Sequence, residues 1–175
     1  MNDLNPRKYI ITYGIYTGLA LISWLIMLFI LKAHYENSWT RFFTEITIQL
    51  VGIILAALAY KKNNLGLISI KETLKIGVGV SLLISIFSVC YLGILSNFIE
   101  PDFFDKTYEL SYFYYMENYP EALEMQGISD KNKFLELSHS RTIYNFIFTP
   151  VILCFIGLLL SFFSGLIIKK TNNYN

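Results

Sequence analysis

Charged residues and histidine are absent from four stretches of this chain, residues 9–31, 46–60, 76–99 and 142–168, which together hold 89 of its 175 residues. A soluble domain spreads roughly 25% charged residues over its whole surface. Here the figure is 15%, and about half of the chain has none of it. A helix needs about 20 apolar residues to cross a hydrocarbon layer of about 30 Å, because lipid offers no partner for backbone N–H and C=O groups. Three of the stretches are long enough, at 23, 24 and 27 residues. The second is 15 residues and reaches 19 when extended back to Phe42, which admits Glu45 and Gln49. Glu45 then falls in the first turn, where headgroups and the positive end of the helix accept a carboxylate. The expectation is an all-α integral membrane four-helix bundle, one membrane domain over residues 1–175, with spans at about 9–31, 42–60, 74–99 and 142–168.

That distribution excludes a soluble single-domain enzyme, a disordered tail and a nucleic-acid binder, whose Lys and Arg would form a patch. Two cysteines exclude a disulfide scaffold. The first apolar run exceeds the 7–15 residues of a signal-peptide core, and no small-residue cleavage site follows it, so it reads as a retained anchor.

The span ends carry their own signals. Lys32, Arg41, Lys61, Lys75 and Lys169-Lys170 flank the apolar runs, and Ser69-Ile70-Lys71-Glu72 has the spacing of a capping box. Pro101 closes the third helix. With four spans both termini share a side, which carries a formal charge of +6 against −5 on the other. The short 61–75 loop is densely basic, so the positive-inside rule places the termini of this multi-pass chain in the cytoplasm.

Residues 100–141 form the sizeable extramembrane piece, acidic and rich in aromatics, between spans three and four. Phe104, Tyr108, Tyr112 and Tyr115 recur at helical spacing over about 102–117. Tyr119-Pro120 breaks that helix, a second runs over about 120–125 to Gly127, and a third starts at Ser129 or Asp130. This predicts a short helical extracytoplasmic cap on the outer membrane surface, its aromatics in the headgroup zone or on the bundle ends. Such a stripe reads as packing or anchoring before ligand recognition.

Ion and proton paths are marked by ionisable groups within a bundle. Only Glu45 qualifies, and Gln49 shares its face at i, i+4; Asn145 in the fourth span is the other intramembrane polar candidate, with Thr149 and the helix-interrupting Pro150 beside it. Small residues line helix faces instead: Gly14 and Gly18 in the first span, Gly77, Ser81, Ser85 and Ser88 in the third, Gly157, Ser161 and Gly165 in the fourth. Such faces let helices approach closely, and one of them is expected to remain free for a partner or a second copy. Cys90 and Cys154 sit at similar expected depth and read as free thiols. His34 and His139 lie on the outer side without metal-ligand spacing, so no metal, cofactor or catalytic residue is assigned.

The run Ile70-Lys71-Glu72-Thr73-Leu74-Lys75-Ile76-Gly77-Val78-Gly79-Val80-Ser81, the acidic outer loop and the closing Gly-rich span ending in Lys169-Lys170 resemble the domain of unknown function 4199, a family of bacterial membrane proteins. The resemblance implies four spans and a bacterial inner-membrane location, and it carries over no site residue. The reading favoured at this level is a non-enzymatic accessory or structural subunit that contacts lipid and other membrane subunits, or itself, with no nucleic acid. The alternative is a small ligand- or lipid-handling protein, a transporter or enzyme subunit with an acidic outer vestibule. A polar cavity reached by Glu45, Gln49 or Asn145 separates the two.

Overall fold

The computed structural model describes residues 5–35, 38–128 and 130–170. Asp3, Glu36 and Ser129, which enter the charge count and the reading of the cap, lie outside them. The chain is a four-helix membrane bundle: α1 (Arg7–Ile30), α2 (Trp39–Asn63), α3 (Ile70–Ile94) and α7 (Thr142–Ile168) are long and apolar enough to span. Between α3 and α7 lie α4 (Phe103–Asn118), α5 (Pro120–Met125) and α6 (Lys131–Ser140), which form the cap.

Local chemistry sets the helix ends. Ser69 and Glu72 form the expected capping box, each side chain bonding the other's backbone N–H. Ser38 caps α2 through its Oγ, which accepts from the Arg41 N–H. The helix therefore starts three residues before the expected Phe42, and Arg41 belongs to it rather than to a flank. Asp130 caps α6 in the same way. At the end of α1, Ala33 N–H bonds Leu28 O and Lys32 N–H bonds Phe29 O, with Lys32 in the left-handed region at φ 55°. This closing turn folds His34 back onto the bundle.

The start of α1, the end of α7 and the α2–α3 loop meet at one end. Lys61 Nζ donates to Ile168 O, Ile68 pairs with Lys170 through backbone hydrogen bonds, and the rings of Tyr9 and Tyr60 meet edge to face at 5.6 Å. The α1–α2 connection and the cap occupy the other end, as expected.

The third helix is central, packed against α1, α2 and α7. Its small residues are consumed there. A Cβ on Gly14 would collide with Leu83, one on Gly18 with Phe87, one on Gly77 with Ser161, and one on Gly157 with Ser81. Gly165 faces Thr73 in close contact, and Ser85 is buried. The expectation that one small-residue stripe stays free for a partner therefore does not hold. Where lipid is the solvent, apolar burial drives no helix association, so these stripes are what let the backbones pack. The outer faces instead carry exposed large side chains such as Tyr16, Leu19, Phe148, Phe155 and Phe163.

Of the two placements expected for the cap aromatics, the contacts are those of packing on the bundle end. Phe104 meets Phe146 of α7 at 6.1 Å, Tyr108 shares a 2.9 Å hydrogen bond with Thr142, and Tyr112 meets Phe134 of α6 at 5.5 Å. Tyr115 also meets Phe134, at 6.4 Å, although it stays exposed. The stripe is thus the seam that binds α4 to α6 and α7.

Gly157→Ala is expected to lower stability by about 1–3 kcal/mol, the usual cost of overpacking a tight interior. Gly93→Ala, whose added Cβ has no neighbour closer than Phe146 at 4.0 Å, is expected to be neutral or stabilising. Unfolding midpoints in a denaturing detergent titration check the pair, and equal losses in both would contradict the packing.

Candidate functional site

Arg41, Glu45 and Gln49 stand at i, i+4 and i+8 of α2 and so share one face. Gln49 lies ten residues into the helix, about 15 Å along its axis and near the middle of a membrane about 30 Å thick. It is 1% exposed. Its Nε2 donates to Ser81 Oγ at 2.7 Å and to Leu153 O at 2.9 Å, which ties α2 to α3 and α7 at once. Ser81 Oγ in turn donates to Gly77 O. Leu153 O can only accept, which fixes which end of the amide faces α7 and leaves Oε1 buried with no hydrogen-bond partner. An unpaired buried carbonyl of this kind costs about 1–3 kcal/mol.

Gln49 lines a partly open cavity of about 220 Å³. Its polar lining is His34, Arg41, Glu45, Gln49, Ser88, Tyr91 and Thr149; its apolar wall includes Leu21, Leu25, Ile84 and Leu153, with Leu95 and Phe103 toward the cap. That volume lies below the roughly 300–1,000 Å³ of drug-sized pockets and suits one small molecule or one headgroup. Arg41 Nε donates to Glu45 Oε1 at 2.9 Å, and Arg41 Nη1 donates to His34 O at 3.0 Å. Tyr91 Oη donates to Leu25 O.

At the cap end the site is closed by a second polar cluster. The third helix finishes in a π-helical turn over Leu95–Ile99, with Glu100 N–H bonding Leu95 O five residues back, and Pro101 follows. This turn aims the Glu100 carboxylate at the α1–α2 connection. His34 Nε2 lies 2.8 Å from Glu100 Oε2, and Tyr35 Oη donates to both carboxylate oxygens at 2.8 and 2.9 Å. Burial by itself raises the Glu100 carboxyl, but the hydrogen bonds from His34 and Tyr35 outweigh it and hold the group below its ordinary value. Burial and the adjacent carboxylate push the Tyr35 phenol up. An ionised Glu100 only accepts, so Nε2 of His34 carries the proton and Nδ1 is the second buried atom here without a partner. The ring sits between Phe29 at 5.0 Å and Phe103 at 6.1 Å. His34 also lines a more open groove of about 450 Å³ with Lys32, Tyr35, Glu100 and Lys106.

Of the residues singled out by sequence, Glu45 and Gln49 come together at this cavity and Ser88 lines it. Asn145 does not reach it: the residue is exposed, and its Nδ2 donates to Tyr108 Oη at 3.2 Å in the cap seam. Thr149, one turn on, lines the cavity in its place. His34 and His139 belong to separate clusters, His139 pairing with Asp105 at 2.8 Å. Cys90 is exposed, Cys154 is half-buried, and both are free thiols. Sequence reasoning missed His34, Tyr35, Arg41, Tyr91 and Glu100 as one constellation. Their pairings span 65 and 66 residues for Tyr35 and His34 with Glu100, and no local spacing announces them.

Because the Glu100 carboxyl is lower in the folded state than its unfolded value near 4.5, its ionised form adds stability that is present in full above that value. The contribution disappears as pH falls through the lower folded value. Wild type is therefore expected to lose more stability than Glu100→Gln between about pH 6 and pH 3. Parallel acid limbs for the two proteins, read by thermal unfolding, would contradict the pairing.

Residues 12–170 match the model of a family described as protein of unknown function (DUF4199). No curated protein and no solved structure matches the chain.

Proposed function

This chain belongs to the DUF4199 family of proteins of unknown function, and we propose that it is a membrane protein that holds a small polar or amphiphilic ligand in the cavity between its four spans. The observation that carries this reading is Gln49: a membrane-buried amide whose Oε1 is unpaired among the described residues, on a residue that lines a cavity with Arg41 and Glu45. Buried polar groups within lipid are expensive and are kept where they bind or conduct something. The small-residue stripes are occupied inside the bundle and so lend no support to a partner docked on them. His34 lines both the cavity and the outer groove, which supports entry from the cap side.

In this reading the protein lies in a bacterial inner membrane with its basic end in the cytoplasm. The charge asymmetry of the two sides supports that orientation. The acidic cap then faces outward over the cavity.

Native mass spectrometry of the chain extracted from its own membranes tests the function. Wild type is expected to retain a small-molecule or lipid adduct that Ser88→Phe, which fills the cavity, releases. A chain that retains other protein subunits, carries no such adduct and is unaffected by Ser88→Phe would be an accessory subunit instead. For orientation, in a background lacking Cys90 and Cys154, a cysteine replacing Asn118 is expected to react with an impermeant thiol reagent in intact cells. One replacing Lys62 is expected to resist, and the reverse pattern would invert the topology.

A further inference from the structure

The cavity wall contributed by α2 has a definite order of charge. From the cap end inward come a guanidinium at Arg41, a carboxylate at Glu45 and a neutral acceptor at Gln49, each one turn, or about 6 Å of rise, below the last. Arg41 uses Nε on Glu45 Oε1 and Nη1 on His34 O, and its second terminal nitrogen makes no hydrogen bond among the described residues. Glu45 likewise bonds through Oε1 alone. Both side chains are partly exposed, at 29% and 27%, so they are reachable from the cavity. Gln49 Oε1 is sealed from solvent and unpaired.

We propose, resting on the ligand-holding reading above, that the cavity recognises a zwitterion with a primary ammonium group. The ammonium is held by Glu45 Oε2, the carboxylate oxygen that the Arg41 pairing leaves free, and the attached carboxylate or phosphate group faces Arg41. The charge balance requires both signs. Arg41 and Glu45 already neutralise each other, so a ligand of single charge would leave an uncompensated charge within the membrane, whereas a zwitterion matches each partner. The acceptor selects the kind of cation. A carboxylate oxygen takes a charge-assisted hydrogen bond at about 2.8 Å. A primary ammonium has N–H groups to give it, and a quaternary ammonium has none. The volume of about 220 Å³ admits a small free amino acid. It also admits the ethanolamine headgroup of a phospholipid whose chains stay in the surrounding bilayer.

The full chain in phosphatidylcholine nanodiscs, a headgroup without N–H donors, separates these sources. One arm offers radiolabelled alanine by equilibrium dialysis. The other mixes equal amounts of phosphatidylethanolamine into the discs and reads the retained lipid by native mass spectrometry. Either alanine binding, or retention of phosphatidylethanolamine over phosphatidylcholine by about tenfold, is expected, with loss of the effect in Glu45→Gln, which keeps the side-chain shape and the Gln49 clamp. Blank arms, or binding that Glu45→Gln leaves intact, would overturn the proposal. A different retained molecule that Ser88→Phe releases would overturn the ammonium assignment and leave the ligand-holding reading standing. An empty chain in every preparation would overturn both.

Discussion

The bundle turns on one amide. Gln49 sits where α2, α3 and α7 converge, and its two N–H donors hold Ser81 of one neighbour and the Leu153 carbonyl of the other. In lipid the hydrophobic effect does not pull helices together, so close backbone contact and interhelical hydrogen bonds must do it. Both are present at the same point: Gly77 and Gly157 remove the side chains that would keep α3 and α7 apart, and a Cβ on Gly157 would lie 2.9 Å from Gln49 Nε2. The amide can bridge three helices only because the glycines let them approach. Its orientation is set by the carbonyl it must satisfy, and its own oxygen is left buried without a partner among the described residues as a consequence.

The cap end applies the same logic to charge. A carboxylate near a membrane is tolerated when donors surround it, and Glu100 has His34 and Tyr35 while Glu45 has Arg41. Glu100 comes from the end of α3 and its donors from the α1–α2 connection, so the two are locked together, while Arg41 and Glu45 pair within α2. Lys106 belongs to the same patch, lying 2.8 Å from Asp102 and over the Tyr35 ring at 5.6 Å. These bonds hold its ammonium above the ordinary lysine range. The aromatic seam of α4, α6 and α7 then seats the cap, with Phe103 reaching the cavity wall.

The four spans, the capping box at Ser69 and the helix break at Pro120 were legible in the chain because each depends on neighbours a few residues apart. The start of α2 was less so: Ser38 lies outside the apolar run, and only its bond to the Arg41 N–H reveals that the helix begins there. Glu45 and Gln49 could be paired from their spacing, since i and i+4 share a helix face. Asn145 could not be sorted from them by the same means. Its spacing says where it lies on α7 and nothing about which side of α7 meets the bundle, and the structure turns it toward Tyr108.

What the sequence by itself determined is the solvent, the number of crossings and the separation of basic from acidic ends. Those follow from where charge is absent, and a low-dielectric layer enforces them residue by residue along the chain. What only the tertiary structure decided is which small faces are occupied and which polar atoms stay unpaired. Gln49 Oε1 is an orphan because Ser81 and Leu153, 32 and 104 residues away, take the amide's N–H donors and no described residue supplies one in return. Hydrogen-bond satisfaction is a property of the assembled helices, so the site appears when the bundle closes.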